Sequence, residues 1–283
     1  MLNIIVCIKQ VPMVSQLPWD SRTGTLKREL AQAMMDPASR RGLEAAIQIK
    51  EQQPARITAI TMGPPMAEEI LHQARALGAD QGILLTDRKM AGADTFLTSL
   101  ILARAIQQEC RGFDLIICGA QTSDSETGQV GPQLAEELDI PAIGFVNHVA
   151  VKPTTIEVQR HVDDFSETLE MDLPGLVTVD LTAYKPRYLA LAGVEQAFAP
   201  QGVNLPAISI VDASQLGFDG KFNALKDSPT RIIDVFSPAA QKETRVLKGS
   251  VKQVVDQLFD EYGKIIGGAM GKDLKTHDHD GVK

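Results

Sequence analysis

Residues 119–132 read Gly-Ala-Gln-Thr-Ser-Asp-Ser-Glu-Thr-Gly-Gln-Val-Gly-Pro, between an apolar strand-like run at 113–118 and a helix-like stretch that opens at Gln133. This combination suits the holding of phosphate. The first N–H groups of a helix have no partner within it, and its dipole favours an anion there. Gly128 and Gly131 let the backbone approach a ligand closely, and Thr122, Ser125 and Thr127 add hydroxyl donors. Asp124 and Glu126 repel phosphate, so they suit ribose, backbone or a partner instead. The same glycines would also serve a chain that only needs to turn. The run fits neither G-x-x-x-x-G-K-[ST] nor G-x-G-x-x-G, which disfavours a P-loop and the standard dinucleotide fingerprint.

Other chemistries find little support. No H-E-x-x-H or G-x-S-x-G occurs, so a hydrolytic apparatus is not evident. Cys7, Cys110 and Cys118 are odd in number and lack C-x-x-C spacing, which argues against zinc and disulfides and for small core residues. His277 and His279 lie in a polar tail that reads as a solvated terminus with at most weak metal chelation. A net charge of −8 over 283 residues, with no basic stripe, excludes the usual nucleic-acid footprint. No apolar run approaches the ~18 residues of a membrane span. The chain opens on a strand-like run, MLNIIVCIKQVP, and a cytoplasmic protein is expected.

The elements that must position the loop alternate. Apolar strand-like runs at 3–8, 57–62, 83–86 and 115–118 are separated by helical spacing at 37–52, 66–77 and 95–110. Such alternation implies an α/β fold, a parallel sheet covered on both faces. Ligands in such sheets sit at the carboxyl ends of the strands. If these strands neighbour one another, three tips would converge on one nucleotide: Cys7, Ile8 and Lys9; Met62 and Gly63; and the loop itself, with Gln129 and Val130 at its far end. Asp36 either touches the ligand or caps the helix after it, the cap being the safer reading for one residue.

Beyond Pro141 the pattern turns strand-rich, at 145–151, 155–162, 167–173 and 175–181. Regular spacing dissolves over 183–205, a segment with the character of a binding loop or arm. A stripe of Val251, Val254, Val255, Leu258, Phe259 and Tyr262 marks an amphipathic helix that needs a surface to cover. The expected organisation is a nucleotide domain at 1–182, an arm at 183–205 and a C-terminal helical arm at 206–283.

Together these pieces resemble the β subunit of electron transfer flavoprotein along nearly the whole chain. The matching segments are VCIKQVP at 6–12, MDP at 35–37, MGP at 62–64, ALGAD at 76–80, AGADT at 91–95, the 119–132 loop and KPRY at 185–188. The resemblance implies a Rossmann-like domain with its own nucleotide site, in a heterodimer whose α subunit carries a redox-active FAD. It implies exchange of electrons with acyl-CoA dehydrogenases or related flavoenzymes, and packing of the C-terminal helix on the α subunit. The family divides by what the β subunit holds. One group binds AMP as a structural nucleotide; the other binds a second FAD and bifurcates electrons from NADH. Thr127-Gly128-Gln129-Val130-Gly131-Pro132 is similar to the second, as is the segment 228–238. A glycine at 128 leaves backbone N–H groups and room for a diphosphate, where an asparagine would suit a monophosphate.

By the same resemblance 186–198 is the recognition loop that clips onto a partner dehydrogenase, with Leu191 as the apolar anchor supported by Tyr188, Leu189 and Val194. Arg40 and the Arg160-His161 pair stand where the family carries acidic residues. A reading from a different class is a nucleotide-sensing α/β module without electron transfer, for which the arm and the C-terminal stripe would be superfluous.

Overall fold

The computed structural model describes residues 1–13, 19–20, 25–26, 32–198, 208–231, 233 and 246–269. Within it, residues 1–231 form one compact unit and 232–283 a second. His277 and His279, residues 199–205 of the arm and most of the 232–238 stretch lie outside the described residues.

The strands in chain order are β1 Leu2–Cys7, β2 Gln10–Pro12, β3 Trp19–Asp20, β4 Thr25–Leu26, β5 Ala33–Met35, β6 Ala55–Met62, β7 Gln81–Leu85 and β8 Leu115–Gly119. They are followed by β9 Ala142–Val151, β10 Thr155–Val162, β11 Phe165–Asp172, β12 Gly175–Val179 and β13 Ser209–Val211. The helices are α1 Pro37–Gln52, α2 Glu68–Leu77, α3 Thr95–Glu109, α4 Val130–Glu137, α5 Leu191–Ala197, α6 Ala224–Asp227 and α7 Val251–Ala269.

Nine strands build one sheet in the order β11-β10-β9-β12-β8-β1-β6-β7-β13. The pairs from β9 to β13 are all parallel, while β9, β10 and β11 run antiparallel to one another as an extension. The α/β reading with a parallel sheet holds. The chain leaves β1 toward β6 and β7, then returns to its other side with β8 and β12, so the strand order reverses beside β1. Open sheets bind ligands at such a point.

Alternation along the strands divides the core. Ile4, Val6, Ile57, Ala59 and Ile117 face α1 and α2 through Leu43, Ala46, Ile70 and Leu71. Ile5, Ile60, Ile83 and Ile116 face α3 and α4 through Ile101, Ile106 and Leu134. Each fully buried branched side chain contributes about 1.5–3 kcal/mol relative to exposure. Both faces are covered, and for that reason these strands read as continuous apolar runs.

Several elements differ from expectation, among them the two-stranded pairs β2–β5 and β3–β4. β13 adds a parallel edge strand beside β7 from a segment with no strand signal of its own, because three residues are too few to show a period. Within 183–205 the chain forms a short helix, α5, packed on α2. In the second unit α7 is a helix of 19 residues whose Val251, Val255, Leu258, Phe259, Tyr262 and Ile265 are all exposed. No helix among the described residues is long and apolar enough to cross a membrane.

Candidate nucleotide site

The carboxyl edge of the sheet carries the site. Cα pairing of β1 with β6 and of β8 with β12 brings the chain after Cys7, after Met62 and after Gly119 to the same level. These are the tips expected to converge. Gln10 donates its side-chain amide to the Met66 carbonyl at 3.2 Å, tying the β1 tip to the turn after β6.

Asp36 is fully buried behind this edge. Its Oδ2 accepts the N–H groups of Ala38 and Ser39 at 3.0 and 3.1 Å, capping α1, whose first residue is Pro37. Its Oδ1 accepts the Ser123 N–H at 2.8 Å and the Ser123 hydroxyl at 2.9 Å. One carboxylate thus fastens the loop to the start of α1. Both of its oxygens are spent, which makes Asp36 a positioning residue and the cap the better of the two expectations.

Close packing explains the first glycine of the loop. A Cβ on Gly119 would lie 2.7 Å from Ala38 Cβ and 2.8 Å from the Ala38 carbonyl carbon, so only glycine lets the loop leave β8 against α1. Ala120 then donates its N–H to the Val179 carbonyl at 2.9 Å. Farther out, Thr122 and Ser125 share a hydroxyl hydrogen bond at 2.9 Å, and Glu126 donates its N–H to the Thr122 carbonyl. Glu126 has φ 52° and Gly128 φ 64°, two left-handed steps that curl the loop back toward α4.

Helix α4 begins at Val130, earlier than the Gln133 expected from sequence. Its N-cap residue, Gln129, makes no side-chain cap. Instead the Gln129 side-chain carbonyl accepts the Thr95 hydroxyl at 2.9 Å, which braces the loop against the start of α3. The N–H groups of Val130 and Gly131 therefore have no side-chain cap, Pro132 has no N–H, and the half-buried Gly128 stands just before them. A cradle of this kind fits the phosphates of a nucleotide.

Lys9 reaches across from the β1 tip to Asp124 Oδ1 at 2.7 Å. Burial pushes the Asp124 carboxyl up, but hydrogen bonds from Lys9 and Thr122 outweigh it and hold the group below the usual carboxylate range. Asp124 is therefore an anion at neutral pH that holds Lys9 over the crevice. Ile8 is buried beneath these groups, Cys7, Met62 and Gly63 are half-buried, and Ser125, Thr127 and Gln129 are exposed. The sequence-derived residues thus gather on one edge, except Asp36, which lies behind it.

Cys118 is buried and Cys7 half-buried on neighbouring strands, as core residues. A hydrogen bond with Cys118, followed by burial, pushes the Cys7 thiol well above its usual range. Burial and the nearby Glu109 push Cys110 up to about 11. Iodoacetamide at pH 8 is therefore expected to label the native protein slowly, about a hundredfold below the urea-unfolded chain. Mass spectrometry of timed samples checks this, and equal labelling rates would refute it. Among the described residues no group of three or more His, Cys, Asp or Glu could hold a metal ion. His161 sits exposed on β10 with its Nδ1 3.0 Å from the Ser166 hydroxyl, and Arg160 pairs with Glu167 at 2.6 Å across the hairpin.

The arm is anchored by residues for which the sequence suggested no anchoring role. Arg41 donates to the Ala183 and Tyr184 carbonyls, and Arg40 to the Arg187 carbonyl at 3.0 Å. Arg187 in turn forks onto Glu44 and Glu51, two turns apart on α1. His72 Nδ1 lies 2.9 Å from the Ala197 carbonyl, and its ring stacks on Phe198. So held, the arm leaves Tyr188 91%, Leu191 74% and Leu189 41% exposed, while Val194 turns half inward. A Cβ on Gly193 would strike the Ala76 carbonyl oxygen of α2. Gly193→Ala is expected to lift α5 at a local cost of about 1–3 kcal/mol, read as faster amide exchange confined to 191–198.

Known proteins resemble the chain closely. Residues 23–214 match the electron transfer flavoprotein domain. The chain is 37% identical over 259 residues to electron transfer flavoprotein subunit beta of Thermoanaerobacterium thermosaccharolyticum, covering 92% of this chain and 97% of that one. It is 34% identical over 262 residues to the caffeyl-CoA reductase-Etf complex subunit CarD of Acetobacterium woodii, with 92% and 97% covered. Protein FixA of Bradyrhizobium diazoefficiens is 36% identical over 267 residues, with 92% and 90% covered. With its strand tips, anchored loop and near full-length likeness to these chains, the protein belongs to the electron transfer flavoprotein family, as one of its β subunits, and its role is electron transfer.

Proposed function

We propose that this subunit holds FAD in its own site, pairs with an α subunit that holds another, and passes electrons by flavin-based bifurcation from NADH. The observation that carries the FAD reading is the end of the loop. Gly128, at φ 64°, adjoins an α4 N-terminus without a side-chain cap, and a diphosphate makes more use than a monophosphate of the N–H groups of Gly128, Val130 and Gly131 that precede Pro132. When bound, the flavin supplies the redox chemistry, and this chain contributes position and charge. Lys9 offers a cation to the phosphates once it leaves Asp124, which is then free to accept a ribose hydroxyl. Thr127 and Ser125 donate hydroxyls, and Gly63 keeps the β6 tip open beside the adenosine.

The arm fits a docking role. Tyr188, Leu189 and Leu191 form an exposed apolar group on a fixed base, the composition of a contact hot spot for a flavoprotein dehydrogenase such as an acyl-CoA dehydrogenase. The apolar stripe of α7 is assigned to the α subunit. By role the chain then divides into a nucleotide domain at 1–182, the arm at 183–205 and an α-binding region at 206–283, whose β13 also completes the sheet of the first. We place this work in the cytoplasm, where NADH is the reductant at hand.

The test is a count. Acid release and chromatography of nucleotides from the purified αβ pair should give two FAD per pair and no AMP, and NADH should bleach the visible flavin spectrum. One FAD with one AMP would replace this reading by a non-bifurcating carrier with a structural nucleotide.

A further inference from the structure

Phe145 is an aromatic residue in the left-handed region, at φ 57°, inside β9, and half of it is exposed. Such a conformation is costly for a bulky side chain and persists only where its surroundings enforce it. Here a bulge does so. β9 pairs with β12 through Val177 with Ile143 and Val179 with Val146, so Gly144 and Phe145 together oppose Thr178. The Phe145 N–H leaves the ladder and donates to the Thr178 hydroxyl at 3.0 Å. Bulges of this kind re-aim a side chain.

Its place matters. Val179, next to Thr178, pairs with Gly119, from which the loop departs, and a Cβ on Gly131 at the start of α4 would lie 2.6 Å from Thr178 Cγ2. Thr178 therefore touches the phosphate cradle through its methyl and Phe145 through its hydroxyl. Across the sheet edge the order is β6, β1, β8, β12, β9. An adenosine at the β6 and β1 tips with phosphates at the β8 loop leaves the β12 and β9 tips for whatever follows the phosphates. At about 4.8 Å per strand, the distance from β1 to β9 is about 14 Å. A mononucleotide ends at the loop, whereas a dinucleotide continues toward Phe145.

We infer that Phe145 is the wall against which the second ring system of a dinucleotide rests, and so the residue that separates FAD from AMP in this site. The inference rests on the FAD reading above.

The experiment uses the αβ pair with its β-site nucleotide removed. FAD and AMP are titrated separately into wild type, Phe145→Gly and Phe145→Tyr, with flavin fluorescence and calorimetry as readouts. Glycine accepts the left-handed backbone, so the melting temperature of the nucleotide-free Phe145→Gly pair should be unchanged or raised. Its affinity for FAD should fall about tenfold and the quenching of flavin emission diminish, while AMP affinity stays within about twofold. Phe145→Tyr should retain FAD. FAD affinity unchanged in Phe145→Gly, or equal weakening of both nucleotides, would overturn the assignment. A wild-type pair that takes AMP and refuses FAD would overturn the FAD reading itself, and the inference with it.

Discussion

Asp36→Ala is expected to lower the unfolding free energy by about 1.5–5 kcal/mol and to release the bound nucleotide. The magnitude follows from what one buried carboxylate holds. Removing it uncaps α1 at Ala38 and Ser39, which alone costs about 0.5–2 kcal/mol. It also strands the N–H and hydroxyl of Ser123, whose loss of a charged acceptor adds about 1–3 kcal/mol. The second loss falls on function, because Ser123 is the point at which the 119–132 loop is fastened to the rest of the unit. Asp36→Asn keeps one carbonyl acceptor and should lie between, near 1–2 kcal/mol of loss by the same reasoning. Urea unfolding followed by circular dichroism reads the stability, and nucleotide retained after gel filtration reads the loop. An alanine variant within about 1 kcal/mol of wild type that also keeps its nucleotide would show that the loop is held elsewhere.

The positions of the strand tips were legible because parallel strands buried on both faces produce short apolar runs, and here Gly63-Pro64 and Gly119 mark where two of them stop. The bounds of α1 were legible for a local reason: Asp36-Pro37 at its start satisfies the cap and the first helical φ in consecutive residues. The start of α4 was not, because Pro132 reads as a first helical residue while Val130 and Gly131 supply an earlier turn that Thr178 packs against. β13 was illegible, since its strand character comes from the β7 edge rather than from Ser209, Ile210 and Val211 themselves. Phe145 did leave a signal. A glycine inside a strand marks a bulge, and Gly144 counts as one only once the strand is seen to begin at Ala142 rather than at Phe145. The base of the arm left one too, since Glu44 and Glu51 stand two turns apart on one helix face and present a matched pair of carboxylates to a single guanidinium.

Arg187→Ala is expected to cost about 2–4 kcal/mol and to free the arm while leaving the sheet intact. The Glu44 side chain is only 5% exposed and takes two guanidinium bonds and the backbone N–H of residue 187, so removing the cation leaves a buried charge with only that N–H and the neutral Gln48 amide as donors. The Arg187 side chain is 34% exposed, and Glu51 lies out in solvent, which places the figure below that of a fully buried pair. Glu44→Gln should therefore cost about 2 kcal/mol and Glu51→Gln less than about 0.5. Acid should mimic these variants. Burial pushes the Glu44 carboxyl up, yet the bonds from Arg187 and Gln48 prevail and hold it below its ordinary range. Arg187 likewise lowers Glu51. Groups depressed on folding stabilise above their unfolded pKa, about 4.3 for glutamate, and lose that contribution as pH falls through the lower folded value. The arm should stay anchored from about pH 5 upward and loosen in acid below about 4, and the alanine variant should show a flatter dependence across that window. Amide exchange over 183–198 at several pH values measures both effects. An arm whose exchange in Arg187→Ala matches wild type at pH 7 would mean that Arg40 and Arg41, through the carbonyls of 183, 184 and 187, suffice to present Leu191.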